Sequence, residues 1–406
     1  MRHVIFVVPF FLDTALRFFR AALEQPDCRV FLISQDQLER LAPELRQRLA
    51  GHYRVDNIFD PDQLTLAARS LQQKAGRIDA LLGTLEHLQV HLAIVRERLG
   101  ITGLGAEASE NFRDKARMKD VLRAKGVPCA HHGLIEKPAD AWAFIDRVGF
   151  PIVVKPPDGA GAKGTFQVKS REELERVLRQ TPPSPSRPLM AEEFIRGTEH
   201  SFDGVSIDGR LVWHSITHYL PTPLDVLQNP WMQWCILLPR EIDDPKFDDI
   251  RRVAGAALDA LGMTTGVCHM EWFRRADGTL AVSEVGARPG GAQISKLMSY
   301  AHDFDFYRAW ARLMIFGEFN PPRREYAAGA AFLRGQGAGR VRKIWGLAEA
   351  QQEIGPLVVE TRLPRTGQIP SSSYEGDGYA LLRHRETRVV EKALHRLISL
   401  IRVELG

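Results

Sequence analysis

Cysteine is scarce in this sequence, and the few cysteines lie far apart. The 406 residues include four of them, and no two form a C-x-x-C pair. They are Cys28, Cys129, Cys235 and Cys268. Because this spacing forms neither a disulfide framework nor a cysteine-rich zinc site, the sequence favours a reducing, cytoplasmic environment.

Long hydrophobic runs and a one-sided charge are absent as well. No stretch of about 18 apolar residues occurs, so no membrane-spanning segment is expected. The apolar N-terminus is interrupted by Asp13, Arg17 and Arg20, and it lacks the cleavage site of a signal peptide. The 54 basic and 50 acidic residues are spread along the chain without the basic stripe of nucleic-acid-binding proteins. We therefore expect neither a membrane nor a nucleic acid as a partner.

The length and the order of the apolar runs predict three domains in an α/β and α+β protein. Residues 1–105 alternate strand-like runs such as HVIFVVPF with helical patterns, which is typical of a small parallel, Rossmann-like α/β domain. Strands and helices continue to alternate over residues 106–318. The segment FNPPRRE at 319–325 marks a boundary. Residues 319–406 contain strand-like runs and a terminal helix, so a C-terminal α+β domain is expected.

A glycine-rich loop lies within VVKPPDGAGAKGTFQV, residues 153–168. Its glycines are Gly159, Gly161 and Gly164, which fit G-x-G-x-x-G. In a dinucleotide site such glycines open a helix, whereas here they join two strand-like runs, and no G-K-[ST] of a P-loop is present. The pattern predicts a hairpin flap whose N–H groups, together with Lys155 and Lys163, contact a phosphate chain. A flexible hairpin tip with solvated lysines is the alternative.

A second pattern brings two glutamates together. Asp277-Gly278 is the favoured two-residue hairpin turn, and counting outward from it places Glu271 opposite Glu284. Like charges directly opposite each other destabilise a sheet, whereas a divalent cation between them would stabilise the pair. The sequence therefore predicts a metal site. Solvent-facing glutamates on an edge hairpin, or a turn of another length that breaks the pairing, are the alternatives.

An arginine follows the second glutamate. Arg288 comes four residues after Glu284 and is followed by Pro289, Gly290 and Gly291. A guanidinium at this position can bind a phosphate or carboxylate bidentately, and the glycines allow a substrate to approach the backbone closely. A salt bridge from Arg288 to one of the two glutamates is the alternative.

Four segments in this order resemble the ATP-grasp superfamily, specifically its carboxylate–amine (L-amino-acid) ligase branch. They are RDKARMKDVLRAKGVP, FPIVVKPPDGAGAKGTFQV, LMAEEFIRGTEHSFDGVSIDG and CHMEWF with LAVSEVGARPGG. The resemblance covers roughly residues 105–318. It implies an ATP-grasp fold over 106–318, with the flap and small lobe at about 130–195. It also implies a pre-ATP-grasp domain over 1–105 and a C-terminal domain over 319–406.

The resemblance also implies roles for individual residues. The residues implied to bind ATP are Lys115, Lys155, Gly159, Gly161, Lys163 and Gly164 at the phosphates, with Glu192, Phe194, Ile195 and Glu199 around the adenosine. Glu271 and Glu284 are implied to bind Mg²⁺ or Mn²⁺. Arg288 and Lys155 are implied to be catalytic, with Arg288 steadying the transferred phosphoryl group.

One position departs from the family pattern. Many members carry a metal-binding asparagine two residues after the second glutamate, where this chain has Gly286. The departure bears on the number and geometry of the metal ions. Counting from the same turn places His269 opposite Gly286. We interpret His269 as a packed core histidine, with a place in the wall of the site as the alternative.

The implied activity is an ADP-forming ligation of a small carboxylic acid, such as an amino acid, to an amine. Phosphorylation of the carboxylate by ATP creates a leaving group, and the amine then attacks the acyl phosphate to form an amide. An ATP-grasp carboxylase or another acyl-phosphate-forming enzyme is one alternative, and a non-catalytic ATP-binding regulatory protein is another. The expected partners are small-molecule substrates, and a homodimer is compatible with the sequence.

Overall fold

The computed structural model describes residues 1–159 and 164–406. The first elements form a four-stranded sheet in the order β3-β2-β1-β4 with helices on its faces. They are β1 (Arg2–Val7), α1 (Asp13–Leu23), β2 (Cys28–Ser34), α2 (Pro43–Arg46), β3 (Gly51–Arg54), α3 (Pro61–Ala75), β4 (Ala80–Leu82) and α4 (Gln89–Leu99). All neighbouring strands are parallel, and the run from Val4 to Val8 in and after β1 is buried. A continuous apolar strand is expected where both faces of a parallel sheet are covered. The predicted parallel α/β unit is confirmed.

A small antiparallel sheet follows, in the order β5-β8-β6-β7. The elements of this region are α5 (Ala106–Arg113), α6 (Lys115–Ala124), β5 (His132–Ile135), α7 (Pro138–Val148), β6 (Ile152–Lys155), β7 (Phe166–Val168), α8 (Arg171–Gln180) and β8 (Leu189–Glu193). The strands β6 and β7 pair antiparallel on either side of the glycine loop, with Ile152 opposite Val168. The predicted arrangement of strand, loop and strand is confirmed. Gly161 and Lys163 lie outside the described residues.

An eight-stranded antiparallel sheet forms the largest part of the fold, in the order β13-β12-β9-β10-β11-β14-β18-β17. Its elements up to the expected boundary are β9 (Gly197–Ile207), β10 (Arg210–Leu220), α9 (Pro223–Gln228), β11 (Trp234–Leu238), α10 (Asp248–Leu261), β12 (Gly266–Arg275), β13 (Leu280–Gly286), α11 (Ile294–His302) and α12 (Phe306–Phe316). The elements beyond it are β14 (Ala327–Leu333), β15 (Gly335–Gln336), β16 (Val341–Trp345), α13 (Leu347–Ile354), β17 (Val358–Arg362), β18 (Gly378–His384), α14 (Thr387–Leu400) and β19 (Arg402–Leu405). Because β11 pairs with β14, one sheet continues past residues 319–325. The remaining strands form a three-stranded sheet, β15-β19-β16.

The hairpin of β12 and β13 has a longer turn than the sequence suggested. The N–H of Arg275 donates to the carbonyl of Thr279, and Gly278 adopts a left-handed φ of 84°, so the loop has three residues rather than two. Such a loop usually ends in a left-handed glycine. The register changes between Glu271 and Trp272, where one extra residue of β13 is accommodated. Glu271 therefore pairs with Glu284 as predicted, although the predicted two-residue turn is wrong.

The N-terminal unit packs against the large sheet through aromatic side chains. Phe18 of α1 lies 4.9 Å from Trp310 of α12, and Phe6 of β1 lies 5.9 Å from the same ring, measured between ring centroids. These residues belong to one buried cluster that also includes Ile236 and Phe332 of the large sheet. This shared core places the N-terminal unit over one face of the large sheet. Within the described ranges, no helix is long and apolar enough to cross a membrane.

Candidate active site

A cavity of about 900 Å³ lies where the N-terminal unit, the small sheet and the large sheet meet. Ten of the predicted site residues line it: Lys115, Lys155, Gly159, Glu192, Phe194, Ile195, Glu199, Glu271, Glu284 and Arg288. Gly164 lies outside its wall and adopts a left-handed φ of 71° where the chain returns to β7. A cavity of this size can hold a nucleotide together with a small substrate.

The facing pair Glu271 and Glu284 lies in one wall of this cavity, and its two members differ electrostatically. The Nζ atom of Lys115 lies 3.0 Å from Glu284 Oε1. Burial opposes ionisation of Glu284, but Lys115 and Lys155 outweigh it and lower the pKa of that carboxyl. Burial, followed by repulsion from Glu284, raises the pKa of Glu271. Among the described residues, Glu271 pairs with no lysine or arginine, and its nearest basic atom is His269 Nε2 at 3.9 Å.

This pair fits a hard divalent cation. Carboxylate oxygens are the ligands that Mg²⁺ prefers, and it is commonly held by one or two carboxylates plus substrate phosphates. A cation bound beside Glu271 would offset the repulsion that raises the pKa of this carboxyl. Within the ranges described, no cluster of three or more histidine, cysteine or acidic side chains suggests a closed protein-only metal site. The donor set therefore suits a metal that is shared with a ligand.

Glu192 forms ion pairs with two lysines. Its oxygens lie 2.7 Å from Lys155 Nζ and 2.8 Å from Lys119 Nζ. Burial raises the pKa of Glu192, but the two lysines outweigh it and bring this pKa to about 2. For Lys119, which is fully buried, burial dominates and lowers the pKa, whereas the nearby carboxylates outweigh burial and raise the pKa of Lys155. The carboxylate of Glu192 thus fixes Lys155 at the end of β6.

Lys115 connects the start of α6 to the first glycine of the glycine-rich loop. Its Nζ atom donates to the carbonyl of Gly159 at 2.6 Å, in addition to its contact with Glu284. The preceding residue, Asp114, caps the helix by accepting hydrogen bonds from the N–H groups of Ala116 and Arg117. Because the cap fixes the first turn of α6, the ammonium group of Lys115 is held at the cavity wall.

Arg288 is bound by a residue that the sequence did not reveal. Its Nε and Nη2 atoms lie 2.8 and 2.6 Å from Oε2 of Glu86, which lies in a single 3₁₀ turn of the N-terminal unit. Arg113 Nη1 lies 3.4 Å from the other oxygen of Glu86. The alternative of a salt bridge from Arg288 to Glu271 or Glu284 is therefore wrong. The pairing of Glu86 with Arg288 spans 202 residues of sequence, so no short pattern could indicate it.

His269 is buried, as a packed core histidine would be, and it also lies in the cavity wall, so both interpretations from the sequence hold in part. Its Nδ1 atom lies 2.8 Å from Oδ1 of Asp203, and its Nε2 atom lies 3.4 Å from the hydroxyl of Tyr219. Burial lowers the pKa of His269, but the charge and hydrogen bond of Asp203 outweigh it and raise this pKa. A Cβ atom on Gly290 would meet Asp203 Oδ1 at 2.7 Å. A glycine is therefore needed where this loop crosses the Asp203–His269 pair.

Phe194, Ile195 and Glu199 also line the cavity. Phe194 and Ile195 follow β8, and Glu199 lies on β9. Glu199 is buried, and it forms no ion pair with the lysines and arginines that the structure describes. Burial, followed by repulsion from Glu271, raises its pKa well above the ordinary value. These residues combine an apolar surface with a buried carboxyl group.

The chain is similar to known proteins over much of the part that lines this cavity. Residues 120–293 match the family model of the ATP-grasp domain. The L-arginine-specific L-amino acid ligase of Bacillus subtilis is 26% identical over 276 residues, which cover 66% of this chain and 65% of the relative. The match thus spans slightly less than two thirds of that relative's length.

Solved structures resemble the whole chain. An L-amino acid ligase from Bacillus licheniformis has a TM-score of 0.79 at 21% identity, covering 100% of this chain and 99% of that one. The biotin carboxylase domain of the Hydrogenobacter thermophilus 2-oxoglutarate carboxylase, solved with MgADP, ADP and bicarbonate, has a TM-score of 0.66 at 16% identity. It covers 99% of this chain and 90% of that one. At these identities the likeness establishes the fold alone, and the expected ATP-grasp fold is confirmed.

Proposed function

We propose that this chain, which belongs to the ATP-grasp superfamily, is an ADP-forming carboxylate–amine ligase that makes an amide bond through an acyl phosphate. The observation that carries the proposal is the convergence of two lysines, two facing glutamates and an arginine on one cavity. Phosphoryl transfer needs chiefly positioning and neutralisation of charge, and these side chains supply both.

The nucleotide would occupy the part of the cavity between the two sheets. Phe194 and Ile195 offer an apolar surface for the adenine, and Glu199 offers a hydrogen-bond acceptor for the ribose. Lys115 and Lys155 would neutralise the phosphates beneath the flap at 158–164, of which residues 160–163 lie outside the described ranges. Glu271 and Glu284 would hold Mg²⁺, which supplies further positive charge at the phosphates when bound.

The acid substrate would bind beside Arg288. The guanidinium is fixed by Glu86, so its remaining N–H groups can stabilise the negative charge that develops on the transferred phosphoryl group. Enclosure by three structural units limits access of water, which would otherwise hydrolyse an acyl phosphate. The amine then attacks the acyl carbon, and phosphate leaves. The chain's role in this step is to hold the reactants together.

We also propose that each of the three expected domains contributes different residues to the site. Residues 1–105 contribute Glu86, which positions Arg288. Residues 106–318 contribute the lysines and the glutamate pair. Residues 319–406 extend the large sheet and contribute Tyr374 to the cavity wall.

A phosphate-release screen over pairs of carboxylates and amines, with products identified by mass, tests this proposal. We expect ADP and phosphate to form only when a carboxylate is present, and an amide to form when an amine is added. ATP binding without carboxylate-stimulated turnover would contradict the proposal. ADP release that depends on bicarbonate and gives no amide would instead indicate a carboxylase.

A further inference from the structure

We infer that Arg113 positions two parts of the site at once: Arg288, through Glu86, and the start of the glycine-rich loop, through the carbonyl of Asp158. This role rests on the proposed function, because Arg288 is the residue proposed to bind the acid and the loop is proposed to contact the phosphates. The described residues that line the cavity do not include Arg113. Arg113 is therefore a positioning residue, which acts on the substrates through its two partners.

Glu86 uses a different oxygen for each of two arginines. Its Oε2 lies 2.6 Å from Nη2 and 2.8 Å from Nε of Arg288, and its Oε1 lies 3.4 Å from Nη1 of Arg113. The side chains of Glu86 and Arg113 are only 10% and 11% exposed, so water and salt screen their contact little. A carboxylate that is held at one oxygen can still rotate, whereas a contact at each oxygen fixes its plane. Arg113 thus fixes the carboxylate that holds Arg288.

Arg113 contacts the loop with its other terminal nitrogen. Its Nη2 atom donates a hydrogen bond to the carbonyl of Asp158, the residue before Gly159. A guanidinium carries its N–H groups in a rigid, planar fork. One side chain can therefore hold a carboxylate and a carbonyl in a defined relative position. Through this fork, the residue that binds Arg288 and the residue that begins the loop are held together.

The contact with Asp158 is the middle one of three adjacent hydrogen bonds. The N–H of Lys115 donates to the carbonyl of Pro157 at 3.1 Å, and Nζ of Lys115 donates to the carbonyl of Gly159 at 2.6 Å. Arg113 binds the carbonyl between them. Three consecutive carbonyls at the start of the loop are therefore bound from the junction of α5 and α6.

This junction is a firm support because one residue ends α5 and begins α6. Arg113 is the last residue of α5, and Asp114 is the C-cap of that helix and the N-cap of the next. The N–H of Asp114 donates to the carbonyl of Glu110, and its carboxylate accepts hydrogen bonds from the first turn of α6. None of these bonds involves the side chain of Arg113. Replacing that side chain should therefore remove its two contacts and leave the junction formed.

The two contacts lead to different substrates. The effect of Arg113 on the acid passes through Glu86 and depends on the charge of that residue. Its effect on the nucleotide passes through Asp158 and does not depend on Glu86. A general loss of stability would not divide in this way between the acid and the nucleotide.

A double-mutant cycle on Arg113→Met and Glu86→Gln tests this division in the full-length protein. Isothermal titration calorimetry with Mg²⁺ and a non-hydrolysable ATP analogue measures nucleotide binding and needs no acid. The acid side is measured as kcat/KM for hydroxamate formation with MgATP and hydroxylamine. The hydroxylamine nitrogen attacks the acyl carbon of the acyl phosphate and loses a proton, and phosphate leaves. The acids are the proteinogenic amino acids and simple acids such as propanoate, and the best of them is used for every variant.

We expect Arg113→Met to weaken binding of the ATP analogue by about fivefold or more, and Glu86→Gln to weaken it by less than about twofold. Both single variants should lower kcat/KM for the acid. The loss in the double variant should be clearly smaller than the product of the single losses, because both changes act on Arg288 through one carboxylate. Arg117→Met is the matched control, since Arg117 is exposed and lies 3.6 Å from Glu107. It should match the wild type in both assays.

Unchanged affinity for the ATP analogue in Arg113→Met, or losses on the acid side that multiply, would overturn this role and leave the proposed ligase function standing. Arg113→Lys decides the question if Arg113→Met fails to fold. Its single ammonium group can pair with Glu86 but lacks the fork that also reaches Asp158, so it should recover the acid side more than the nucleotide side. Equal recovery of both would also overturn the role. Absence of hydroxamate with every acid would overturn the proposed function and the acid half of the role, and the calorimetry would still decide the nucleotide half.

Discussion

Glu271 and Glu284 lie directly opposite each other in the hairpin of β12 and β13, and an extra residue in β13 maintains this pairing. The three-residue turn alone would shift the register by one position, and a shift of one position turns a side chain to the other face of a sheet. The bulge restores the register just before the glutamates. Bulges are common next to active sites, where they re-aim side chains. The local irregularity thus brings two carboxylates to one cavity wall.

Replacing Glu271 by glutamine should reduce turnover without reducing the stability of the metal-free protein. The change removes a proposed metal ligand, so turnover should fall by at least about 100-fold. It also removes a like charge from the pair, so the free energy of unfolding without metal should stay the same or rise by up to about 1 kcal/mol. Steady-state phosphate release and urea denaturation in EDTA measure the two effects.

Glu284→Gln is the matched variant. It should lose turnover to a similar extent but should destabilise the metal-free protein, because it leaves Lys115 without its counter-charge. Wild-type turnover in either variant would remove that glutamate from the metal site.

Glu192→Gln should lower the free energy of unfolding and make it less dependent on pH below about 4.5. The change leaves Lys119 and Lys155 without their shared counter-charge and should cost about 3–5 kcal/mol near neutral pH. The pKa of Glu192 is lowered to about 2 in the folded state from an ordinary value of 4.5. Its stabilising contribution is therefore fully present above pH 4.5 and is lost as the pH falls towards 2.

Chemical denaturation of both proteins at pH 7 and at several values below pH 4.5 measures this difference. The free energies of unfolding of wild type and variant should converge as the pH falls. An equal difference at every pH would show that the charge of Glu192 is not the cause.

Glu86→Gln should reduce catalysis by misplacing Arg288. The neutral side chain no longer fixes the guanidinium by a charged contact, so kcat/KM for the acid substrate should fall by about 10- to 100-fold. The KM for ATP should change by less than about twofold. Glu86→Asp, which keeps the charge, should recover part of the loss. The exposed Glu107, which lies 3.6 Å from Arg117, provides the control Glu107→Gln. A selective rise in the KM for ATP would contradict a role through Arg288.

Gly290→Ala should lower both stability and activity, whereas Gly291→Ala should be tolerated. A Cβ atom on Gly290 would meet Asp203 Oδ1 at 2.7 Å and His269 Nδ1 at 2.9 Å, whereas one on Gly291 meets no atom within 4 Å. The first change should displace the loop after Arg288 and cost about 1–3 kcal/mol together with most of the activity. Thermal denaturation and phosphate release would be compared for the two variants. Equal behaviour would show that this close approach is unimportant.

Local patterns predicted the parts of the site that depend on neighbouring residues in the chain. The alternation of apolar residues and glycines around 152–168 was sufficient to predict the pairing of β6 with β7. The Asp-Gly turn correctly located the hairpin, but the sequence could not distinguish a two-residue turn from a three-residue turn with a bulge. The longer turn and the extra residue in β13 compensate each other, so Glu271 still pairs with Glu284.

Contacts between distant segments were not predictable in this way. Glu86 reaches Arg288 only because the N-terminal unit packs over the large sheet, which depends on tertiary contacts such as that of Phe18 with Trp310. Lys119 lies four residues after Lys115 and therefore on the same side of α6, which was the one available signal. The extension of the large sheet by β14, β18 and β17 likewise follows from pairing between distant strands.

The most direct test of the metal site is the binding of Mn²⁺, as a paramagnetic substitute for Mg²⁺, to the protein with a non-hydrolysable ATP analogue. Electron paramagnetic resonance would be recorded for the wild type and for the double variant Glu271→Gln, Glu284→Gln. We predict a protein-bound Mn²⁺–nucleotide signal in the wild type and an affinity at least about 100-fold lower in the double variant. Equal Mn²⁺ affinity in the two proteins would contradict the proposal that these glutamates hold the metal.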